Sequence, residues 1–181
     1  MRADARRNSD LLIASAREVF TEKGAEAPLD DIAKRAGVGA GTLYRHFPNR
    51  EALIEAVYRD EVATVADQVD RLLAEYGPQE ALHRWIGEQV RFINHRRGLA
   101  VSLKETLKPG SDTMNWCRDT LLAAAKALVD AGQAAGTLRP DVVPYDLLRL
   151  SHGLAVASEY GEAADGERML EVLLAGLAVR P

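Results

Sequence analysis

Within "GVGAGTLYRHFPNR", residues 37–50, five hydrogen-bonding side chains stand close together: Thr42, Tyr44, Arg45, His46 and Arg50. Their common chemistry is contact with an anionic, acceptor-rich surface. Tyr44, His46 and Arg50 are of types that reach phosphate oxygens, and Thr42 suits a phosphate or a thymine methyl. Arg45 offers a planar fork that matches O6 and N7 of guanine. Glycines stand at 37, 39 and 41, separated by Val38 and Ala40. Gly41 has no side chain, so the backbone of Gly39, Ala40 and Gly41 can come close to such a surface.

Elsewhere the reactive residue types form no catalytic or metal-binding pattern. His46, His83, His95 and His152 show no HExxH and no pair of Glu-x-x-His motifs. No glycine-rich phosphate loop follows a strand. Cys117 is the only cysteine, which excludes an intrachain disulfide and a thiolate metal cluster and fits a reducing cytoplasm. Nothing in the spacing joins Cys117 to His152 as nucleophile and base. The expectation is a non-enzyme with no metal and no cofactor.

The elements that must position residues 37–50 read as helices. Ala and Leu dominate with apolar spacings of three and four, and no stretch alternates as a half-buried strand does. A first helix runs from a cap at Asn8 or Ser9 to Gly24, with Leu12, Ala16, Val19 and Phe20 inward. A second covers about 29–36 after Pro28, with Asp30 and Asp31 in its first turn, where the helix dipole favours anions. Gly37 ends it, Gly39 caps a third helix over about 41–47, and Leu43 and Phe47 point inward. Two short helices around a glycine turn make a helix-turn-helix, whose second helix enters the DNA major groove. Asn49 caps a fourth helix to about residue 76, and Gly77-Pro78 separates it from a fifth that ends in "HRRG". Further helices are expected at 99–107, at about 112–135, at 144–160 and at 166–179, with a loop "GTLRPDVVP" and a turn "GEAADGE". The fold class is all-α, with about nine helices.

Composition agrees. Of 181 residues 47% are hydrophobic and 28% charged, a soluble globular profile. The net charge of −4 is unevenly spread: residues 1–50 carry nine Lys/Arg against seven Asp/Glu, a net of +2, and the remainder carries −6. Only the front part suits an anionic partner. "MRADARRNSDLL" lacks the apolar run of a signal peptide. No apolar segment reaches the roughly 18 residues that span a bilayer. A cytoplasmic location with no membrane partner is expected.

The stretch "LDDIAKRAGVGAGTLYRHFPNREALIEAV" resembles the signature of the TetR family of bacterial transcriptional repressors, closely across residues 10–58. "GQAAGTLRPDVVPYDLL" is similar to the family's entry to its eighth helix. The resemblance implies a DNA-binding domain over 1–50 and a ligand-binding and dimerisation domain over 51–181. It also implies a double-stranded operator, a small-molecule effector and a homodimer as partners. Pro28 and Gly39 stand where the family often has hydroxyl residues. Phosphate contact would then lean on Tyr44, His46, Arg50 and the arm Arg6-Arg7.

Candidate effector contacts are Trp85, Gln89 and Phe92 on the fifth helix, Met114, Cys117 and Leu121 on the seventh, and His152 on the eighth. They offer large apolar walls with few polar groups. The last two helices are apolar on more than one face. Leu147, Leu150, Leu154, Met169, Leu173 and Leu177 exceed what one core stripe needs, and Gly153, Ala157 and Gly176 allow close approach. They are the candidates for a two-fold dimer contact. A different reading, a helical protein-binding adaptor without ligand response, would leave Tyr44 and Arg45 without a role in DNA binding.

Overall fold

The computed structural model describes residues 2–95, 111–158, 160 and 163–179. Its helices are α1 (Arg2–Lys23), α2 (Leu29–Arg35), α3 (Ala40–His46), α4 (Arg50–His95), α5 (Asp112–Ala134), α6 (Pro144–Ala157) and α7 (Ala163–Leu177). The architecture is all-α, with seven helices rather than nine among the described residues. The helix expected at 99–107 and the "HRRG" end of the fifth lie outside those residues. The expected fourth and fifth helices are both present within α4, which spans two helices separated by the non-helical Gly77 (φ 73°, ψ 171°). None of the described helices is long and apolar enough to cross a membrane.

The described residues form two compact units. One holds the chain up to Glu61 together with the start of α5 through Asn115; the other holds Val62–His95 and the chain from Trp116 onward.

In the first unit, α1 begins well before the expected cap at Asn8 or Ser9, because "RADARR" is built of good helix formers with Asp4 in the first turn. Leu12, Ala16, Val19 and Phe20 of α1 meet Ile32 and Ala33 of α2, Leu43 of α3, and Leu53, Ile54 and Val57 of α4. Surface pairs tie α1 to α2. Arg35 grips Glu22 with both terminal nitrogens, at 2.7 and 2.8 Å, and Lys23 meets Asp31 at 2.7 Å. Arg17 ties α1 to α4 through Asp60 and, at 3.4 Å, Glu61.

In the second unit, Trp85 Nε1 donates to the Val65 carbonyl at 3.1 Å. In a straight helix these residues would stand about 30 Å apart at 1.5 Å per residue. The break at Gly77 therefore folds the chain back on itself, and residues 78–95 lie against 62–76 within this unit. Val65, Val69 and Leu72 share a core with Leu82, Trp85 and Ile86, with Ala125 and Leu128 of α5, and with Leu147 and Leu154 of α6. The proline loop after α5 is pinned by a single antiparallel bridge, Leu138 with Ala178. Gln133 Nε2 stitches it further, donating to the carbonyls of Arg139 and Val142 at 3.0 and 2.9 Å.

Candidate nucleic-acid interface

The turn between α2 and α3 is set by backbone hydrogen bonds. Ala36 ends α2, and Gly37 follows at φ 69°, a conformation other residues rarely adopt. The Gly37 N–H donates to the Lys34 carbonyl at 3.2 Å and the Val38 N–H to the Ala33 carbonyl at 3.0 Å. That is the Schellman arrangement, with apolar Val38 against the core. Gly39 is the N-cap of α3, in extended conformation and without a side-chain cap; Pro28, before α2, is likewise uncapped.

Leu43 is fully buried and Phe47 nearly so, which turns the opposite side of α3 outward. Gly39, Ala40, Gly41, Tyr44 and Arg45 are exposed, and Thr42 and His46 half-buried. A Cβ added at Gly39 or Gly41 would meet nothing within 4 Å. The protein's own packing therefore does not demand these glycines, as befits backbone kept bare for an outside surface.

The basic residues divide into three groups. Arg17, Lys23 and Arg35 are held in ion pairs. Arg50, expected at a phosphate, is half-buried. It turns inward, and its Nη1 donates to the carbonyls of Ala25 and Ala27 at 2.6 and 2.7 Å. It thereby holds the α1–α2 loop to the start of α4. Arg6, Arg7, Lys34 and Arg45 are exposed and make no ion pair among the described residues. Lys34 was missed by sequence reasoning; its sequence signal was a cation in the last turn of α2, next to the glycine turn. The Arg35 hydrogen bond holds the Glu22 carboxyl below its ordinary range, and Lys23 does the same for Asp31. The Glu22 contact in turn raises Arg35.

The effector candidates do not all come together. Trp85 is fully buried, Phe92 and Leu121 pack on the same core, and Gln89 and Cys117 are buried. Met114 instead packs in the core of the first unit. His152 is exposed while Cys117 is buried, so the two do not form a couple. Gln89 Nε2 is buried with no hydrogen-bond partner among the described residues, a loss of about 1–3 kcal/mol for a buried donor. A cleft of about 490 Å³ is lined by Tyr76, Leu82, His83, Leu138, Glu171 and Leu174, none of them an effector candidate. Among the described residues no group of three His, Cys, Asp or Glu side chains could hold a metal ion.

The dimer candidates also divide. Leu147, Leu154 and Leu177 belong to the core of their own unit, and Met169 and Leu173 pack against it; Leu150 is exposed. The exposed face of α6 carries Tyr145, Leu150, Gly153 and Val156 instead, and that of α7 carries Val172 and Gly176. A Cβ at Gly153 or Gly176 would meet nothing within 4 Å.

Residues 12–57 match the family described as bacterial regulatory proteins, tetR family. Residues 77–179 match the family described as transcriptional regulator SbtR-like, C-terminal domain. The crystal structure of a TetR transcriptional regulator from Streptomyces coelicolor is 40% identical, with a TM-score of 0.80 over 96% of this chain and 99% of that one. A TetR transcription regulatory protein from Mycobacterium vanbaalenii is 36% identical, with a TM-score of 0.79 over 98% of this chain and 99% of its own. The transcriptional repressor KstR2 of Mycolicibacterium smegmatis is 29% identical over 140 residues, 74% of this chain and 68% of that protein. With the outward face of α3 and the family matches on both sides of Gly77 in agreement, the chain belongs to the TetR family and is a DNA-binding transcriptional regulator.

Proposed function

We propose that the chain is a repressor that binds a near-palindromic operator as a homodimer. One α3 of each copy enters the major groove, and a small molecule held among α4–α7 changes that affinity. The observation that carries the reading is the outward side of α3: Tyr44 and Arg45 exposed beside glycines that internal packing does not require. Arg45 reads a base edge, and Thr42, Tyr44, His46, Lys34, Arg6 and Arg7 meet phosphates. Residues 1–50 serve as the DNA-binding part and the remainder as the effector and dimer part. The protein works in the cytoplasm and has no catalytic role.

The dimer contact is assigned to the exposed sides of α6 and α7, centred on Gly153, Val156, Val172 and Gly176. The glycines allow close helix approach, and a two-fold axis would pair each patch with itself. α4 gives Leu53, Ile54 and Val57 to one core and Val65, Val69 and Leu72 to the other. It is the route by which an effector changes the spacing of the two readers. The effector releases DNA by binding better to the state with the wider spacing.

Footprinting on DNA flanking the gene tests this reading. The expected result is two protected half-sites about 34–36 Å apart, one helical turn. Val172→Glu should give a folded monomer that no longer protects both. A single asymmetric footprint, or a Val172→Glu variant that stays dimeric and fully active, contradicts the assignment.

A further inference from the structure

Gln89 stands one turn after Trp85 in the second half of α4, and only 2% of it is exposed. Its Nε2 has no hydrogen-bond partner among the described residues. Other donors in the same unit are answered. Trp85 Nε1 donates to the Val65 carbonyl, and Ser151 Oγ to the Leu147 carbonyl at 2.7 Å. Gln133 carries the same side-chain amide, and its Nε2 donates to two carbonyls. Carbonyl oxygen is thus the acceptor that the Gln133 side-chain amide takes in this unit. An orphaned buried donor is rare in a native fold. Methionine or leucine would fill a similar volume without it, so the amide is there for something the described residues do not themselves supply.

We propose that Gln89 Nε2 receives the effector, and that the effector is an uncharged, largely apolar molecule bearing a carbonyl oxygen. This rests on the reading of the second unit as the effector-binding part. Neutrality follows from the surroundings on this helix. Leu82, Trp85 and Ile86 are buried on the side that carries Gln89. The nearby charges Glu88 and Arg91 pair with each other at 2.6 Å. An ionised group beside Gln89 would lie buried without a counter-charge from this helix, whereas a carbonyl oxygen satisfies the amide and adds no charge.

Thermal unfolding of the full chain tests this, with and without two probe sets. One set comprises straight-chain, cyclic and aryl methyl ketones. The other comprises the alkenes in which CH2 replaces the carbonyl oxygen. Without probe, Gln89→Met should raise Tm by about 2–4 °C, since an unpaired donor is removed. With probe, the wild type should be raised further by ketones than by the matching alkenes, and Gln89→Met should respond to both alike. A lower Tm for Gln89→Met would show that water or protein already pairs the amide, and would overturn the proposal. So would a wild type on which no ketone outperforms its alkene. If Gln89→Met does not unfold cooperatively, Gln89→Leu replaces it, and the ketone–alkene comparison needs no variant. DNA binding is measured alongside. If it persists in the wild type, a negative result counts against Gln89 alone; if it is absent, the regulator reading itself fails.

Discussion

Gly41 and Arg50 show two ways in which a residue's role departs from what its type suggests. Gly41 lies in the first turn of α3 with empty space where a Cβ would stand. Alanine there should stabilise the fold by about 0.5–1 kcal/mol through helix propensity. The same methyl group would stand between backbone and DNA. Gly41→Ala is therefore expected to raise the denaturation midpoint and weaken operator binding; an unchanged affinity would mean that the backbone at 41 does not approach DNA. Arg50 was legible as a cation next to the reader, but its carbonyl partners lie 23 and 25 residues earlier. No local spacing encodes them. The outward placement of Tyr44 and Arg45 was legible because Leu43 and Phe47, four apart, fix the inner side of a short helix.

At the scale of elements, breaks were easier to read than starts and ends. Gly77-Pro78 marks the break in α4, and its geometry is testable. With φ 73° and ψ 171°, Gly77 occupies a region essentially reserved for glycine. An added Cβ meets no neighbour within 4 Å, so the strain would be purely backbone. Gly77→Ala should cost about 1–3 kcal/mol, read by urea unfolding; no loss would mean the turn can be made another way. The packing of α1 on α2 carries a pH dependence. Glu22 and Asp31 have lowered folded pKa values, so their contribution is present at neutral pH and is lost as pH falls through those values. Thermal unfolding of the wild type should therefore weaken more between pH 7 and about 3.5 than that of Glu22→Gln/Asp31→Asn, and the gap should shrink in high salt. Equal pH dependence would contradict this. The early start of α1 was not legible, because Asn8 and Ser9 are good caps that the preceding Ala and Arg residues override.

At the scale of the whole molecule, the helix-turn-helix was legible and the packing of the later helices much less so. Caps, glycine turns and three-four spacing are local signals, and they are dense between residues 28 and 50. In α6 and α7 the apolar residues run nearly all round. Spacing alone could not divide Leu147, Leu154 and Leu177, which fill their own core, from Val156 and Val172, which face out. The exposed position of His152 and the packing of Met114 on the first unit's core were not legible for the same reason: helical phase says which side a residue is on, not which core that side meets. The proposed reading of DNA by the outer side of α3 is checked by fluorescence anisotropy of the gene's flanking DNA with the wild type and with Tyr44→Ala/Arg45→Ala, at two salt concentrations. The wild type should bind saturably and weaken with salt as phosphate contacts require. The double variant, with its melting transition intact, should lose about ten-fold or more in affinity. A double variant that binds the same DNA as tightly as the wild type would contradict the assignment of α3 as the reader.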